Sequence, residues 1–369
     1  MKIVFFCPSL LSDWNNGNAH FLRGVCSELI SRGHELAVYE PADSWSYENL
    51  VTEYGEKFLE EFQLAYPRLS SIRYQTVDLE RMLTDADLVI VHEWNARELI
   101  VSLGEYRRRT SKFRLLFHDT HHRVVTQPQV TVRKELLGYD GVLAYGATLR
   151  DVYVRQQRAR RAWIWHEAAD IHIFKSKPTT QKLYDLVWIG NWGDDERSAE
   201  LYEFFLNPVC ELGLKAIVYG VRYPLSARRT LEKSGIVYGG WLPNFKVPIA
   251  FAQSSVTVHI PRRPYVTTLQ GIPTIRPFEA LACGIPLISA PWQDKEGLFR
   301  AGKDLLFAEN GEEMAKKLND VLSNQDLAMS LARNGMQTIH ENHTCAHRVD
   351  QLFEIIAELN DEDLTCRGA

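Results

Sequence analysis

The feature that most constrains the fold is an alternation between short apolar runs and longer segments with helical periodicity. Parallel strands that helices cover on both faces give this pattern, because such strands are buried on both sides. Segments 20–31 and 96–106 have helical periodicity in the first half. We therefore predict a doubly wound α/β domain there. Its strands are expected at residues 3–7, 36–39, 88–92, 114–118, 142–145 and 163–165.

The same alternation begins again after a polar stretch. Residues 175–182, KSKPTTQK, lack apolar periodicity and include a proline, which is typical of a linker. Helical periodicity returns at 312–322 and 346–359, after apolar runs at 186–189, 216–219, 256–260, 285–289 and 305–307. We therefore predict a first domain over residues 1–174, a linker over 175–184, a second doubly wound α/β domain over 185–345, and a C-terminal helix and tail over 346–369.

Composition excludes several classes of protein. A chain of 369 residues with 45% hydrophobic and 24% charged residues can bury two cores. A formal net charge of -5 argues against a nucleic-acid partner, which requires a basic face. The 6 cysteines occur singly, which favours a reduced cytoplasm and no zinc site. The first apolar run ends at Pro8, and no run approaches the roughly 20 residues of a membrane span.

The segment 271–289, GIPTIRPFEALACGIPLIS, suggests a binding site for an anion. It predicts a loop, a short helix that begins after Thr274 and ends at Gly284, and a buried strand. Backbone N–H groups at the start of a helix can bind a diphosphate, but they contribute only about 0.3–2 kcal/mol. Arg276 and Arg197 are the candidates for the additional positive charge. Glu279 lies one turn further along, where it could accept hydrogen bonds from ribose hydroxyls.

Other polar residues follow predicted strands of the first half, at the edge where doubly wound sheets bind ligands. Asp119 is a candidate general base, and His118 is a candidate hydrogen-bond partner of a bound ligand. Glu93 is a weaker candidate for a ligand contact. His118, His121, His122 and Asp119 also allow a metal site, but their spacing matches none of the usual zinc signatures, so we expect no metal.

The phrase RPFEALACGIPLIS at 276–289 resembles the donor-binding signature of GT-B glycosyltransferases, in particular the bacterial CgeB-like (spore-maturation-protein-like) family. Segments 12–24 and 31–36 resemble that family's loop and helix after the first strand, and 185–197 resembles its glycine-containing loop and arginine. The resemblance implies two Rossmann-like domains that face each other across a cleft. It also implies a metal-independent hexosyltransferase that uses a nucleoside-diphosphate-sugar as co-substrate and has no other cofactor.

The resemblance assigns roles to individual residues. It implies that Asp119 is the general base toward an acceptor hydroxyl and that His118 hydrogen-bonds the donor sugar. Asn18 stands where many relatives have a histidine, and His20 follows two positions later. The acceptor side of the cleft is expected to include Gly17, Asn18, His20 and Glu93. The donor nucleotide and its phosphates are expected to contact Gly190, Asn191, Arg197, Trp241, Thr274, Arg276 and Glu279.

The acceptor predicted on this basis is a sugar, a polysaccharide, a lipid-linked compound or a protein. Two alternatives use the same fold: a nucleotide-sugar epimerase or hydrolase, and a non-catalytic binding protein for polysaccharide or coat assembly. Arginine-rich runs at 107–109 and 155–161 are interpreted as solvated faces. Their alternative is peripheral docking to the inner face of an anionic membrane, with Trp163 and Trp165 as anchors.

Overall fold

The computed structural model describes residues 1–110, 112–127, 135–179, 181–193 and 195–367, with side chains up to residue 361. The chain divides into two compact units. Met1–Glu167 and the C-terminal segment from Cys345 form the first unit, and Ala168–Thr344 forms the second. Among the described residues, no helix combines the length and the apolar character that crossing a membrane requires.

The first unit is built on a parallel sheet with the strand order β3-β2-β1-β4-β5-β6-β7 within the described residues. Successive strands are added toward one edge of the sheet from β1 to β3 and toward the other edge from β4 onward. Doubly wound sheets bind ligands at this reversal of strand order, between β1 and β4. The strands are β1 (Lys2–Phe6), β2 (Glu35–Pro41), β3 (Ile72–Tyr74), β4 (Leu88–His92), β5 (Arg114–Asp119), β6 (Gly141–Ala144) and β7 (Ala162–Ile164). The helices are α1 (Ala19–Ser31), α2 (Trp45–Tyr54), α3 (Lys57–Ala65), α4 (Leu79–Met82), α5 (Arg97–Thr110), α6 (Arg123–Thr126), α7 (Ala147–Arg155) and the C-terminal α16 (Cys345–Arg367).

Apolar continuity explains the centre of this sheet. β1 lies between β2 and β4, and Ile3 pairs with Leu36 on one side and Leu88 on the other. Ile3 and Leu88 are inaccessible to solvent, and Leu36 is partly buried. Strands that are covered on both faces and paired on both edges tolerate almost only apolar residues, so the polar side chains collect at the strand ends.

The C-terminal helix belongs to the first unit. We predicted residues 346–369 as a separate helix and tail, but α16 packs against α1, and Phe353 stacks on His34 with ring centroids 4.9 Å apart. The indole Nε1 of Trp165 donates to the carbonyl oxygen of Arg348 at 2.7 Å, and Arg348 Nε donates to His166 O at 2.9 Å. These buried hydrogen bonds anchor α16 to the end of the first sheet.

The second unit repeats the topology of the first, with the order β10-β9-β8-β11-β12-β13 within the described residues. Its reversal point lies between β8 and β11. The strands are β8 (Tyr184–Ile189), β9 (Ala216–Tyr219), β10 (Val237–Tyr238), β11 (Ser254–His259), β12 (Leu287–Ser289) and β13 (Leu306–Phe307). The helices are α8 (Ser198–Leu201), α9 (Asn207–Leu212), α10 (Leu225–Lys233), α11 (Val247–Ala252), α12 (Arg263–Thr267), α13 (Ile275–Cys283), α14 (Gly311–Ser323) and α15 (Gln325–Asn342), with a π-helical turn at Tyr202–Leu206 and a 3-10 turn at Asn244–Lys246.

The second sheet has an apolar layer on each face. Leu186 and Trp188 of β8 belong to one buried cluster, whereas Val187 belongs to the other. Successive side chains of a strand point to opposite faces, so β8 contributes to both layers. This arrangement explains why the strand reads as a continuous apolar run.

The unit boundary differs from the predicted linker at 175–184, of which Thr180 lies outside the described residues. The change of unit falls at Glu167–Ala168. Ala169 N donates to His343 O at 2.9 Å, and Phe174 is fully buried in a core cluster of the second unit. The polar stretch is therefore a connection inside the second unit that leads into β8.

Candidate functional site

Arg197 and Arg262 lie close together in the segments that follow the carboxyl ends of β8 and β11. Arg197 donates through NH2 to Asn191 Oδ1 at 2.7 Å and to Asn191 O at 2.9 Å. Arg262 donates to the same Asn191 Oδ1 at 3.0 Å. Arg197 also donates through NH1 to Ile260 O at 3.2 Å. One amide oxygen thus holds two guanidinium groups beside each other at the reversal point of the sheet.

The positive charge of this group is only partly neutralised. Glu196 accepts from Arg262 at 2.6 Å, and Glu279 pairs with Arg276. Arg197 donates these hydrogen bonds to uncharged carbonyl and amide oxygens. Its Nε is buried and has no hydrogen-bond partner among the described residues, and Asp194 is not one of these. Burial, then the charges of Arg262 and Arg276, lower the pKa of Arg197 to about 9. An anion bound here would offset an unfavourable buried charge.

Glu279 is fully buried on α13. Its Oε1 accepts from Asn244 Nδ2 at 2.7 Å, and its Oε2 accepts from Arg276 NH1. The sequence suggested a carboxylate that faces a ribose. In the structure each carboxylate oxygen accepts a hydrogen bond from a protein side chain, and the contact with a ribose stays a prediction.

The start of α13 carries no side-chain cap. Thr274 precedes the helix, but its hydroxyl lies 3.4 Å from His259 Nε2 instead of bonding to the helix N–H groups. His259 Nδ1 lies 3.0 Å from Ser289 Oγ. Burial, together with Arg197 and Arg276, lowers the pKa of His259 to about 3, so this imidazole is neutral at pH 7. The uncapped N–H groups of α13 are therefore available to an anion.

The ends of β8, β9 and β10 approach each other through their backbones. Gly220 N donates to Gly240 O at 2.8 Å, and a Cβ added at Gly220 would lie 2.1 Å from Gly190 O. Tyr223 and Tyr238 donate their hydroxyls to Gly190 O and Gly220 O, each at 2.9 Å. The predicted residue Gly190 therefore lies in a closely packed backbone region at the strand ends. Trp241 follows β10 at the same edge of the sheet.

In the first unit, hydrogen bonds join the ends of β4 and β5 to the start of α1. Asn18 Nδ2 donates to Thr120 Oγ1 at 2.8 Å and lies 3.0 Å from His92 Nε2. Of the other residues predicted near Asn18, Gly17 is exposed, whereas His20 is fully buried within α1. His20 therefore lies in the interior and not on a surface that an acceptor could reach.

The predicted base and acceptor residues form a buried pair of carboxyl groups. Asp119 Oδ1 accepts from His121 N at 3.0 Å, and Oδ2 accepts from Tyr153 OH at 2.5 Å. Glu93 Oε1 accepts from Thr120 N at 3.2 Å, and Oε2 accepts from Arg123 at 3.0 Å. Burial raises the pKa of both carboxyl groups, and the charge of Asp119 raises that of Glu93 further.

Exposure separates the roles of these two carboxyl groups. Each of them accepts a hydrogen bond on both oxygens, but Glu93 retains 8% of its accessible surface, whereas Asp119 retains 2%. A general base must reach the proton that it removes. Glu93 is therefore the more accessible of the two carboxyl groups, and the base role of Asp119 stays a prediction.

His118 lies in the interior. It is fully buried, its ring packs 4.9 Å from Trp165 and 5.7 Å from Phe21, and neither ring nitrogen has a hydrogen-bond partner among the described residues. Burial lowers its pKa to about 3. The expected contact of His118 with a donor sugar does not agree with this position, because the strand alternation points its side chain into the core. Within the described part of the chain, no cluster of His, Cys, Asp or Glu is arranged to hold a metal ion.

Sequence reasoning did not assign roles to Arg262, Asn244 or Tyr153. Arg262 follows β11 in the sequence IPRR, and its position after a buried strand was the one available signal. Asn244 and Tyr153 belong to a 3-10 turn and to α7, and only tertiary packing brings them to Glu279 and Asp119.

A family model described as Glycosyl transferase-like matches residues 197–354, which include Arg197, Arg262, Arg276 and Glu279. The search of curated proteins found no match.

Solved structures match nearly the full length of the chain. Sucrose-phosphate synthase from Thermosynechococcus elongatus aligns with a TM-score of 0.66 and 13% identity over 98% of this chain and 100% of that one. Anabaena Alr3699/HepE in complex with UDP and glucose aligns with a TM-score of 0.65 and 14% identity, over 97% and 100%. An α-glucosyltransferase in complex with UDP-glucose and DNA containing an abasic site aligns with a TM-score of 0.71 and 12% identity, over 96% and 99%. The chain therefore has the α/β fold of GT-B glycosyltransferases, with two parallel sheets covered by helices.

Proposed function

We propose that this protein is a glycosyltransferase that uses a nucleoside-diphosphate-sugar as donor. The observation that carries the proposal is the incompletely neutralised arginine group held by Asn191 beside the uncapped start of α13. A diphosphate has the charge and the hydrogen-bond acceptors that such a group requires. The family match over 197–354 and the UDP complexes of structural neighbours support the same ligand class.

The donor-binding roles follow from the second unit. Arg197, Arg262 and Arg276 would bind the diphosphate, and these arginines would supply the positive charge that a divalent metal supplies in other transferases. Asn191 would orient the first two, and Glu279 would orient the third. The segment at Trp241 would lie beside the base, for which uracil is the first candidate because several neighbours contain UDP.

The proposed reaction is displacement at the anomeric carbon. An acceptor hydroxyl attacks that carbon, the bond from carbon to diphosphate oxygen breaks, and the nucleoside diphosphate leaves with the bonding electrons. Glu93 would take the hydroxyl proton, since its raised pKa makes it a stronger base than an ordinary carboxylate. The arginines would stabilise the leaving diphosphate.

The finer identity is also a proposal. Assignment to the bacterial CgeB-like group rests on the motif at 276–289, and a cytoplasmic location rests on the isolated cysteines. The acceptor class includes saccharides, lipid-linked compounds and proteins.

The test is a thermal-shift panel of UDP, GDP, ADP, CMP, dTDP and their sugars, followed by turnover assays with glycan acceptors. A ligand present at 100 times its Kd stabilises the folded protein by about 2.7 kcal/mol. We expect one nucleoside diphosphate to raise the Tm selectively. The absence of a shift with every nucleotide would contradict the donor site, and release of free sugar without transfer to any acceptor would favour a hydrolase.

A further inference from the structure

A cavity lies in the second unit, and its lining residues Trp192 and Ser198 are next to Asn191 and Arg197 in the chain. Its volume is about 560 Å³, and it is lined by segments that follow β8 and β9. None of the residues predicted for donor binding contributes to its wall. Its size falls within the range of about 300–1,000 Å³ that is usual for small-molecule sites.

Aromatic side chains form much of the wall. Trp192 lies with its ring centroid 6.0 Å from Tyr202 at an interplanar angle of 86°, and 5.6 Å from Tyr223 at 59°. Tyr223 is buried, but Tyr202 keeps 43% of its accessible surface. Aromatic rings that remain accessible offer apolar faces while keeping polar groups in water.

Polar groups complete the wall. Ser198 Oγ is buried and has no hydrogen-bond partner among the described residues. Asp195 and Arg222 are exposed and supply one negative and one positive charge. Both adopt left-handed backbone conformations, with φ of 66° and 62°. Such conformations cost about 1–2 kcal/mol in residues other than glycine, and they concentrate at functional sites.

We propose that this cavity binds a pyranose ring of a neutral glycan. A pyranose has an apolar C–H face that can pack on Trp192 or Tyr202, and hydroxyl groups that can pair with the exposed Asp195 and Arg222. The opposite charges of Asp195 and Arg222 favour a ligand without net charge over a phosphorylated one. In the proposed glycosyltransferase, this site would hold part of a saccharide acceptor, so this role rests on the proposed function, but saccharide binding itself can be tested without turnover.

The experiment measures binding of trisaccharides containing glucose, galactose or N-acetylglucosamine by saturation-transfer NMR and by tryptophan fluorescence. The variants are Trp192→Ala and Tyr202→Ala. Trp45→Ala is the matched control, because Trp45 is 53% exposed and belongs to the first unit. We expect wild type and control to bind one saccharide equally, and the other two variants to bind it roughly tenfold or more weakly.

Tyr202→Ala keeps the test decisive if Trp192→Ala fails to fold, since Tyr202 is largely exposed. The proposal is overturned if no trisaccharide binds, if both variants bind like wild type, or if UDP displaces the saccharide. The Tm shift with UDP is read separately. Failure of saccharide binding with a retained UDP shift would refute this site alone, and loss of the UDP shift with retained saccharide binding would refute the donor site alone.

Discussion

Arg197→Met tests the electrostatic interpretation of the second unit, because it should affect stability and ligand binding differently. Burial and the neighbouring arginines lower the pKa of Arg197 from the ordinary value of arginine to about 9. A shift of this size corresponds to roughly 5 kcal/mol of unfavourable free energy for the charged group at pH 7. The hydrogen bonds from Arg197 to Asn191 and Ile260 offset about 1 kcal/mol each.

The substitution removes both contributions. We therefore expect the free energy of unfolding of Arg197→Met to equal that of wild type or to exceed it by up to about 2 kcal/mol. Binding of UDP should weaken instead, because a hydrogen bond to a charged partner contributes about 1.5–3 kcal/mol. The loss of affinity would be roughly ten- to hundredfold.

The pH dependence has a definite sign. A lowered cation pKa means that the charged form disfavours folding below pH 9, so this group's contribution becomes more favourable as the pH rises above about 9 toward the ordinary pKa of arginine. The difference in stability between wild type and Arg197→Met should shift in favour of wild type over that interval.

The assay combines urea unfolding with calorimetric titration of UDP. Arg229→Met is the matched control, because Arg229 is an exposed arginine of the same unit. A loss of more than about 4 kcal/mol of stability in Arg197→Met would refute the reasoning, since it would identify a structural cation. Unchanged UDP affinity would refute the assignment of Arg197 to the phosphate site.

The remaining predictions concern single residues. Glu93→Gln should keep UDP affinity but lower turnover by roughly 10²–10⁴-fold, and wild-type turnover should fall as the pH decreases through the raised pKa of Glu93, as a pH–rate profile would show. Asp119→Asn should lower the free energy of unfolding by about 1–3 kcal/mol, because one amide oxygen cannot replace both acceptors; an unchanged urea midpoint would contradict this. Gly220→Ala should lower the free energy of unfolding by roughly 3 kcal/mol or more, since the added Cβ would lie 2.1 Å from Gly190 O. Gly213 is the control: it has a φ of 62° and open space around it, so Gly213→Ala should cost only about 1 kcal/mol. Equal melting temperatures of the two variants would refute the contact.

The apolar runs predicted most of the strand centres. The run at 88–92 coincides with β4, and that at 186–189 lies within β8, because both strands are buried on both faces. The short β3 was not predicted, since its first two residues are exposed and no apolar run marks it. The C-terminal helix was predicted near its observed position, but its attachment to the first unit depends on contacts with residues far away in the sequence.

The candidate site was predicted in part. Arg197, Arg276 and Glu279 lie where strand ends and a helix start converge, as expected of residues that follow buried strands. Their charges and the helix position were visible in the sequence. The pairing of Glu279 with Arg276 and Asn244 depended on side-chain packing.

The sequence by itself determined the alternation of strands and helices, the two doubly wound sheets and the edge of each sheet where polar residues collect. These properties follow from local periodicity and from the burial of parallel strands. Only the tertiary structure decided that His118 and His20 are interior residues, that Asn191 joins Arg197 to Arg262, and that α16 belongs to the first unit. The reason is physical: the burial and pairing of a side chain depend on residues that are distant in the chain, and a local sequence pattern does not identify those residues.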